Sequence, residues 1–159
     1  MDHRIQLLLD VLDQAYDKKA WHGTNLRGSI RGMVIDEVTW QPQTGRHSIW
    51  AVVLHAAYWK FCVRRHLVGD RTLKFPRQGS DWPNLPEQQT DKTWKADVQL
   101  LGREHKALRE ALATFPARRL KTVPPNLSWR FEQYIYGAAS HDLYHAGQIQ
   151  LLKRMFRTR

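Results

Sequence analysis

The chain has 159 residues, a length that can bury a hydrophobic core in one domain without covalent cross-links. Its single cysteine, Cys62, excludes an internal disulfide and favours a reducing compartment. The first apolar run is interrupted by Asp10 and Asp13, so it predicts neither a signal peptide nor a membrane span. We therefore expect residues 1–159 to form one domain of a cytoplasmic protein.

The formal net charge is +10, from 25 lysines and arginines against 15 acidic residues. Clustered cations bind phosphates by releasing counterions, so nucleic acid is one candidate partner. The basic residues are scattered, however, and their densest groups fall at predicted helix ends, where cations also interact favourably with the helix dipole. The charge therefore favours a solvated surface that attracts anions over a nucleic-acid interface.

Two amphipathic segments in the first half of the chain predict helices. Apolar side chains in residues 5–16 recur at steps of three and four, and Gly23 is the predicted stop. The second segment covers about residues 47–67 and ends before Gly69. Both have the period of an α-helix with one buried face.

Two further helices are predicted in the second half. Residues 94–115 carry the most regular apolar period, and Pro116 ends it. The last helix follows the proline pair at 124–125, with Ser128 as its candidate N-cap, and continues to about residue 156.

The long connections follow the first and second helices. Residues 22–46 have room for a short helix, and residues 68–90 contain three prolines and Trp82. Connections of this length often act as lids or binding loops. No strand-like alternation is present, so the fold class is all-α and the four helices predict a four-helix bundle.

His141 and His145 are separated by four residues in the last helix. Their side chains lie about 40° apart in azimuth and about 6 Å apart along the axis, so both imidazoles can reach one ion. Gly137 and Ala138, one turn earlier, leave a hollow beside them. The alternative is close helix packing with His141 as a hydrogen-bonded core histidine, because such pairs also arise by chance.

A third ligand has to come from another helix, and His55 lies on the inward face of the second one. Cys62 and His66 share its azimuth but lie about 10 and 16 Å along the axis, too far to bind the same ion. Cys62 is interpreted as a small core residue. His105 occupies a core position of the third helix, where a ligand, a partner of a ligand and a buried neutral histidine all stay open. His22 is a candidate for the mouth of a pocket.

The string HDLYH also invites comparison with the H-E-x-x-H pattern of zinc proteases, with Asp142 in the position of the base. An aspartate is one methylene shorter than a glutamate, and Asp142 projects about 100° away from His141. The comparison is therefore disfavoured, and no other carboxylate is an evident general base.

The segments LHAAYWK, HDLYHAGQI, WHGTNLRG and DWPNLP resemble the DinB-like superfamily of bacterial metalloproteins over nearly the whole chain. The resemblance implies a four-helix bundle of the up-down-down-up type. It also implies one divalent ion, Zn, Ni or Fe, bound by His55, His141 and His145. Members often form homodimers, and some are transferases or isomerases that use low-molecular-weight thiols.

The preferred function is a metal-dependent, thiol-dependent transferase that acts on a small molecule. One alternative is a metal-dependent hydrolase, and another is a non-catalytic stress-response or nucleic-acid-binding module. Candidate substrate contacts are Tyr58, Trp59, Tyr144, Gln148 and His22. Basic side chains flanking the pocket mouth would favour an anionic thiol.

Overall fold

The computed structural model describes residues 1–159 and contains helices without any strand, which confirms the all-α fold class. Four helices are long and two are short. In chain order they are α1 (His3–Tyr16), α2 (Leu26–Ser29), α3 (Ile35–Thr39), α4 (Ile49–Val68), α5 (Asp91–Ala113) and α6 (Phe131–Arg157). A single 3₁₀ turn, Ala117–Arg119, separates α5 from α6.

Polar side chains and a glycine define the ends of the first long helices. The carboxylate of Asp2 accepts a hydrogen bond from an amide in the first turn of α1. That helix ends at Tyr16, so the predicted stop at Gly23 lies beyond it and was wrong. Ser48 caps α4 in the same way, and Gly69 ends α4 as predicted, in the left-handed region with φ 77°.

The start of α6 differs from the prediction at Ser128. The helix begins at Phe131, and the side chain of Gln133 accepts from the backbone amide of Arg130 at 2.9 Å. The preceding segment is held in another conformation, because the amide of Phe131 donates to the carbonyl of Thr122 at 3.0 Å. This contact folds the chain back onto the end of the 3₁₀ turn and leaves Ser128 outside the helix.

The four long helices pack side by side, with α1 and α4 each lying against both α5 and α6. Two apolar clusters form the core, one around Trp50 and Leu101 and the other around Leu9 and Phe131. The short helices α2 and α3 occupy the connection 22–46, and α2 lies against α6. The up-down-down-up order of the long helices stays a prediction. None of the helices has the length and apolar character needed to cross a lipid bilayer.

The long connection between α4 and α5 is anchored to the bundle by one buried carboxylate. Asp97 of α5 accepts hydrogen bonds from the guanidinium of Arg77 in the connection. The same carboxylate accepts from the indole Nε1 of Trp50 in α4 at 2.9 Å. This anchor holds the connection beside α4, where residues 79–82 reach His55.

Candidate metal centre

Three histidines converge at one point between α4 and α6. The Nε2 atom of His141 lies 3.0 Å from Nε2 of His55 and 3.0 Å from Nε2 of His145. Two nitrogens that bind one ion at about 2.1 Å are about 3.0 to 3.4 Å apart, depending on the angle between the bonds. The spacing therefore fits a single metal ion, and the structure brings together the three residues that the sequence singled out.

The hydrogen bonds of two of these rings leave their Nε2 atoms free to bind a metal. Nδ1 of His55 lies 2.7 Å from the backbone carbonyl of Asp81, and Nδ1 of His145 lies 2.7 Å from Oε1 of Gln148. Both oxygens only accept, so each Nδ1 carries the proton and each Nε2 carries a lone pair. A proton on Nε2 of His141 could form a hydrogen bond to Nε2 of only one of the other two histidines. A divalent cation would satisfy all three nitrogens.

Burial keeps these imidazoles neutral. It lowers the pKa of His141 to about 3, with further lowering from His145 and His55. Burial also lowers the pKa of His145 to about 4, although the hydrogen bond to Gln148 acts in the opposite direction. The pKa of His55 is lowered mainly by the same desolvation. Neutral imidazole is the form that binds metal ions, so the three rings are ready to do so at neutral pH.

The connection between α4 and α5 encloses His55. The indole of Trp82 stacks on the His55 ring with centroids 3.9 Å apart, and the ring of His47 stacks on the opposite face of the indole at 3.5 Å. The carboxylate of Asp81 accepts a hydrogen bond from Nε1 of Trp59 at 2.8 Å. These contacts fix the orientation of His55 and restrict water on that side.

The sequence indicated this loop and Trp82, but it did not indicate the contact between Asp81 and His55. Asp81 has φ 64°, and a non-glycine residue in this region costs about 1 kcal/mol or more. Gly79, with φ 94°, allows the tight approach of the following residues. The available signal was the turn-rich string GSDWP, which predicts a sharp bend that presents backbone carbonyls and the Trp82 ring in a fixed direction.

Behind the three histidines lies a buried ion pair that the sequence did not reveal. Lys60 of α4 bonds to the carboxylate of Asp142, and both side chains are almost fully buried. The second carboxylate oxygen of Asp142 has no hydrogen-bond partner. Because Asp142 is bound to Lys60, it is not placed as a base for a molecule bound at the three Nε2 atoms.

His105 belongs to this buried network and lies outside the histidine cluster. Its ring stacks on Tyr16 with centroids 3.9 Å apart, and its Nδ1 lies 3.4 Å from Nζ of Lys60. Burial, followed by the charge of Lys60, lowers the pKa of His105 to about 3. Of the three roles that the sequence left open, the structure supports the buried neutral histidine.

The proposed substrate contacts occupy different positions around the centre. Trp59 is partly exposed beside His141, and Tyr144 is exposed with its ring centroid 5.1 Å from that of His145. Gln148 bonds to His145, which makes it a partner of a candidate ligand.

Tyr58 and His22 are not members of the histidine cluster. Tyr58 is partly buried and packs edge-on against Phe75 at 5.5 Å. His22 is exposed in the turn after α1, outside both the histidine cluster and the cleft beside it. Cys62 is buried, as predicted, and burial raises the pKa of its thiol.

A cleft of about 340 Å³ opens beside the centre, and His141 is one of the residues that line it. Trp59 of α4, Trp129, and Tyr136 and Gly137 of α6 contribute to its lining. No lysine, arginine or carboxylate lines it. The hollow expected from Gly137 is therefore present, and it opens directly onto one of the three candidate ligands.

Comparison with known proteins identifies the family to which the chain belongs. No curated protein and no solved structure gives a significant match to the chain. The family model of the DinB superfamily, in contrast, matches residues 20–149, a segment that includes the three histidines and the loop that covers His55. The match extends over most of the chain, and the protein therefore belongs to the DinB superfamily.

Proposed function

We propose that this protein is a metal-dependent transferase that uses a low-molecular-weight thiol and acts on a small molecule. Its ion would be Zn, Ni or Fe, held by His55, His141 and His145. The observation that carries the proposal is the convergence of three Nε2 atoms, two of them on rings whose Nδ1 protons are held by other groups. Three ligands leave positions open for further molecules, as is usual at catalytic sites.

The surroundings suit a reaction that needs a shielded cation. A divalent ion in this position stabilises a bound thiol as its thiolate, or lowers the pKa of a bound water. The three imidazoles are neutral and leave the charge of such an ion uncompensated. The stacked rings of Trp82 and His47 keep bulk water from one side of His55, which strengthens electrostatic interactions at the centre.

The position of the nearest carboxylates favours a transferase over a hydrolase. Hydrolysis by an activated water is assisted by a general base within hydrogen-bond reach. The carboxylate of Asp81 lies 3.4 Å from Nδ1 of His55, on the side of the ring that faces away from the Nε2 cluster, and accepts from Trp59. Asp142 is bound to Lys60. A thiolate is itself a nucleophile and needs no such base.

The test begins with the metal content of protein purified without chelators. Cobalt is then substituted, and low-molecular-weight thiols are screened for a sulfur-to-metal charge-transfer band. The band should appear in the native sequence and in His66→Ala, a control on the same helix as His55, and should disappear in His145→Ala. Thiol-independent cleavage of esters or amides would favour the hydrolase. Bound metal without either activity would favour a non-catalytic module, and absence of metal would overturn the proposal.

The proposal also covers the oligomeric state and nucleic acid as a partner. We propose a homodimer, which sedimentation velocity would test, and no specific nucleic-acid partner. A phosphate binder loses affinity steeply between about 50 and 200 mM salt. Weak DNA binding that His55→Ala leaves unchanged would support our view. Tight binding that depends on the three histidines would contradict it.

A further inference from the structure

The cleft beside His141 is lined by uncharged residues, although the chain is strongly basic. The protein carries a net charge of +10, yet none of the nine residues that line the cleft is charged. Aromatic side chains dominate the lining, and Trp129 and Tyr136 stay 58% and 45% exposed. Exposed aromatic groups gathered at a concave surface are typical of binding sites.

The charged side chains of this region are gathered elsewhere. Arg65, Arg71 and Arg119 line a separate cleft of about 510 Å³ between the C-terminal end of α4 and the α5–α6 connection. An anionic group in the cleft beside His141 would have only the proposed metal ion, and none of these arginines, to offset the loss of its hydration. The expected preference for an anionic thiol therefore has no support in the lining of the cleft next to the histidines.

We propose that this cleft binds the uncharged, apolar part of the substrate, a flat aromatic or compact aliphatic group, and so sets the specificity of the centre. The inference rests on the proposed function for the reaction that follows binding. The volume of the cleft, about 340 Å³, lies within the usual range for small-molecule sites. Trp59 and His141 both line the cleft, so a group bound there lies next to one of the three candidate ligands.

Two glycines of α6 provide a matched test. Beyond the adjoining helix backbone, a Cβ added at Gly137 or at Gly147 meets no atom within 4 Å, so there is open space beside both positions. Both substitutions also bring the same gain in helix propensity. Only Gly137 lines the cleft. Gly137→Leu therefore fills the cleft, and Gly147→Leu controls for the general effect of the substitution.

The probe is N-phenyl-1-naphthylamine, a neutral fluorophore, compared with its sulfonated analogue 8-anilinonaphthalene-1-sulfonate. We expect saturable binding of the neutral probe with quenching of tryptophan emission, and binding of the sulfonate at least about tenfold weaker. Gly137→Leu should weaken binding of the neutral probe by about tenfold or more. Gly147→Leu should bind within about twofold of the native sequence.

Metal content and oligomeric state are measured on the same samples. His145→Ala should lose metal and keep probe binding, which separates failure of the cleft from failure of the metal centre. Equal binding to Gly137→Leu, or tighter binding of the sulfonate, would overturn the inference. So would a native dimer that excludes the probe and becomes a monomer in Gly137→Leu, because a second copy of the chain would then occupy the cleft.

Discussion

The hydrogen bond between Gln148 and His145 offers the sharpest test of how the centre is held. Oε1 of Gln148 lies 2.7 Å from Nδ1 of His145 and fixes the proton on that nitrogen. In Gln148→Leu the side chain keeps a similar size and loses the acceptor. The proton is then free to occupy Nε2, and the ring loses its fixed orientation. Loss of such a partner typically lowers metal affinity about 10- to 100-fold, or about 1.4 to 2.7 kcal/mol.

The assay is competition with a chromophoric chelator for zinc or cobalt at fixed pH and ionic strength. Gln150→Leu is the control, because Gln150 is an exposed residue of the same helix. Gln148→Glu retains an acceptor oxygen and should bind metal at least as tightly as the native sequence. His145→Ala gives the metal affinity that remains when the imidazole of His145 is absent.

The outcome separates two roles for Gln148. Unchanged metal affinity in Gln148→Leu would refute the reasoning that the amide orients His145. A raised KM with unchanged metal affinity would indicate the substrate contact that the sequence suggested. A weakened metal site in both Gln148→Leu and Gln150→Leu would point to a general loss of helix structure.

Three further predictions concern the buried side chains. Lys60→Met should lower the free energy of unfolding by about 3 to 5 kcal/mol, measured by denaturant titration with chelator, because Asp142 is left buried without its cation. The double variant Lys60→Met/Asp142→Leu should recover most of that loss, and an effect below about 1 kcal/mol in the single variant would contradict the prediction. Burial lowers the pKa of His105 from 6.5 to about 3, so the unfolded chain binds the proton more readily and stability falls as the pH drops below about 6.5, by about 2 kcal/mol at pH 5 from this residue alone. His105→Gln should flatten that dependence, and an unchanged slope would show that other groups cause it. Cys62→Ala should keep metal occupancy and any activity with a loss of about 1 kcal/mol, and lost turnover in the folded variant would give Cys62 a catalytic role.

Local sequence determined the long helices and two of the three candidate ligands. The recurrence of apolar residues at steps of three and four is a property of neighbouring residues, so it predicts each long helix without knowledge of the fold. The four-residue separation of His141 and His145 places both on one face of any regular helix. His55 was assigned through its inward position and the family resemblance. The predicted boundaries at Gly23 and Ser128 were both wrong. The first helix already ends at Tyr16, where the amides of Asp17 and Lys18 donate to the carbonyl of Asp13. The last helix begins later than predicted, because the amide of Phe131 donates to Thr122 in the preceding connection.

Tertiary structure alone decided what surrounds the three histidines. Asp81 reaches His55 from 26 residues away along the chain, and Lys60 meets Asp142 across 82 residues. No local pattern relates such partners, because a lysine in an amphipathic helix is equally compatible with a solvated or a paired side chain. Burial sets the pKa values of the histidines, and hydrogen-bond partners set the tautomers of His55 and His145. Burial depends on the packing of all the helices together. The sequence therefore identifies the candidate ligands, while the packed fold determines their protonation, their orientation and the uncharged cleft beside them.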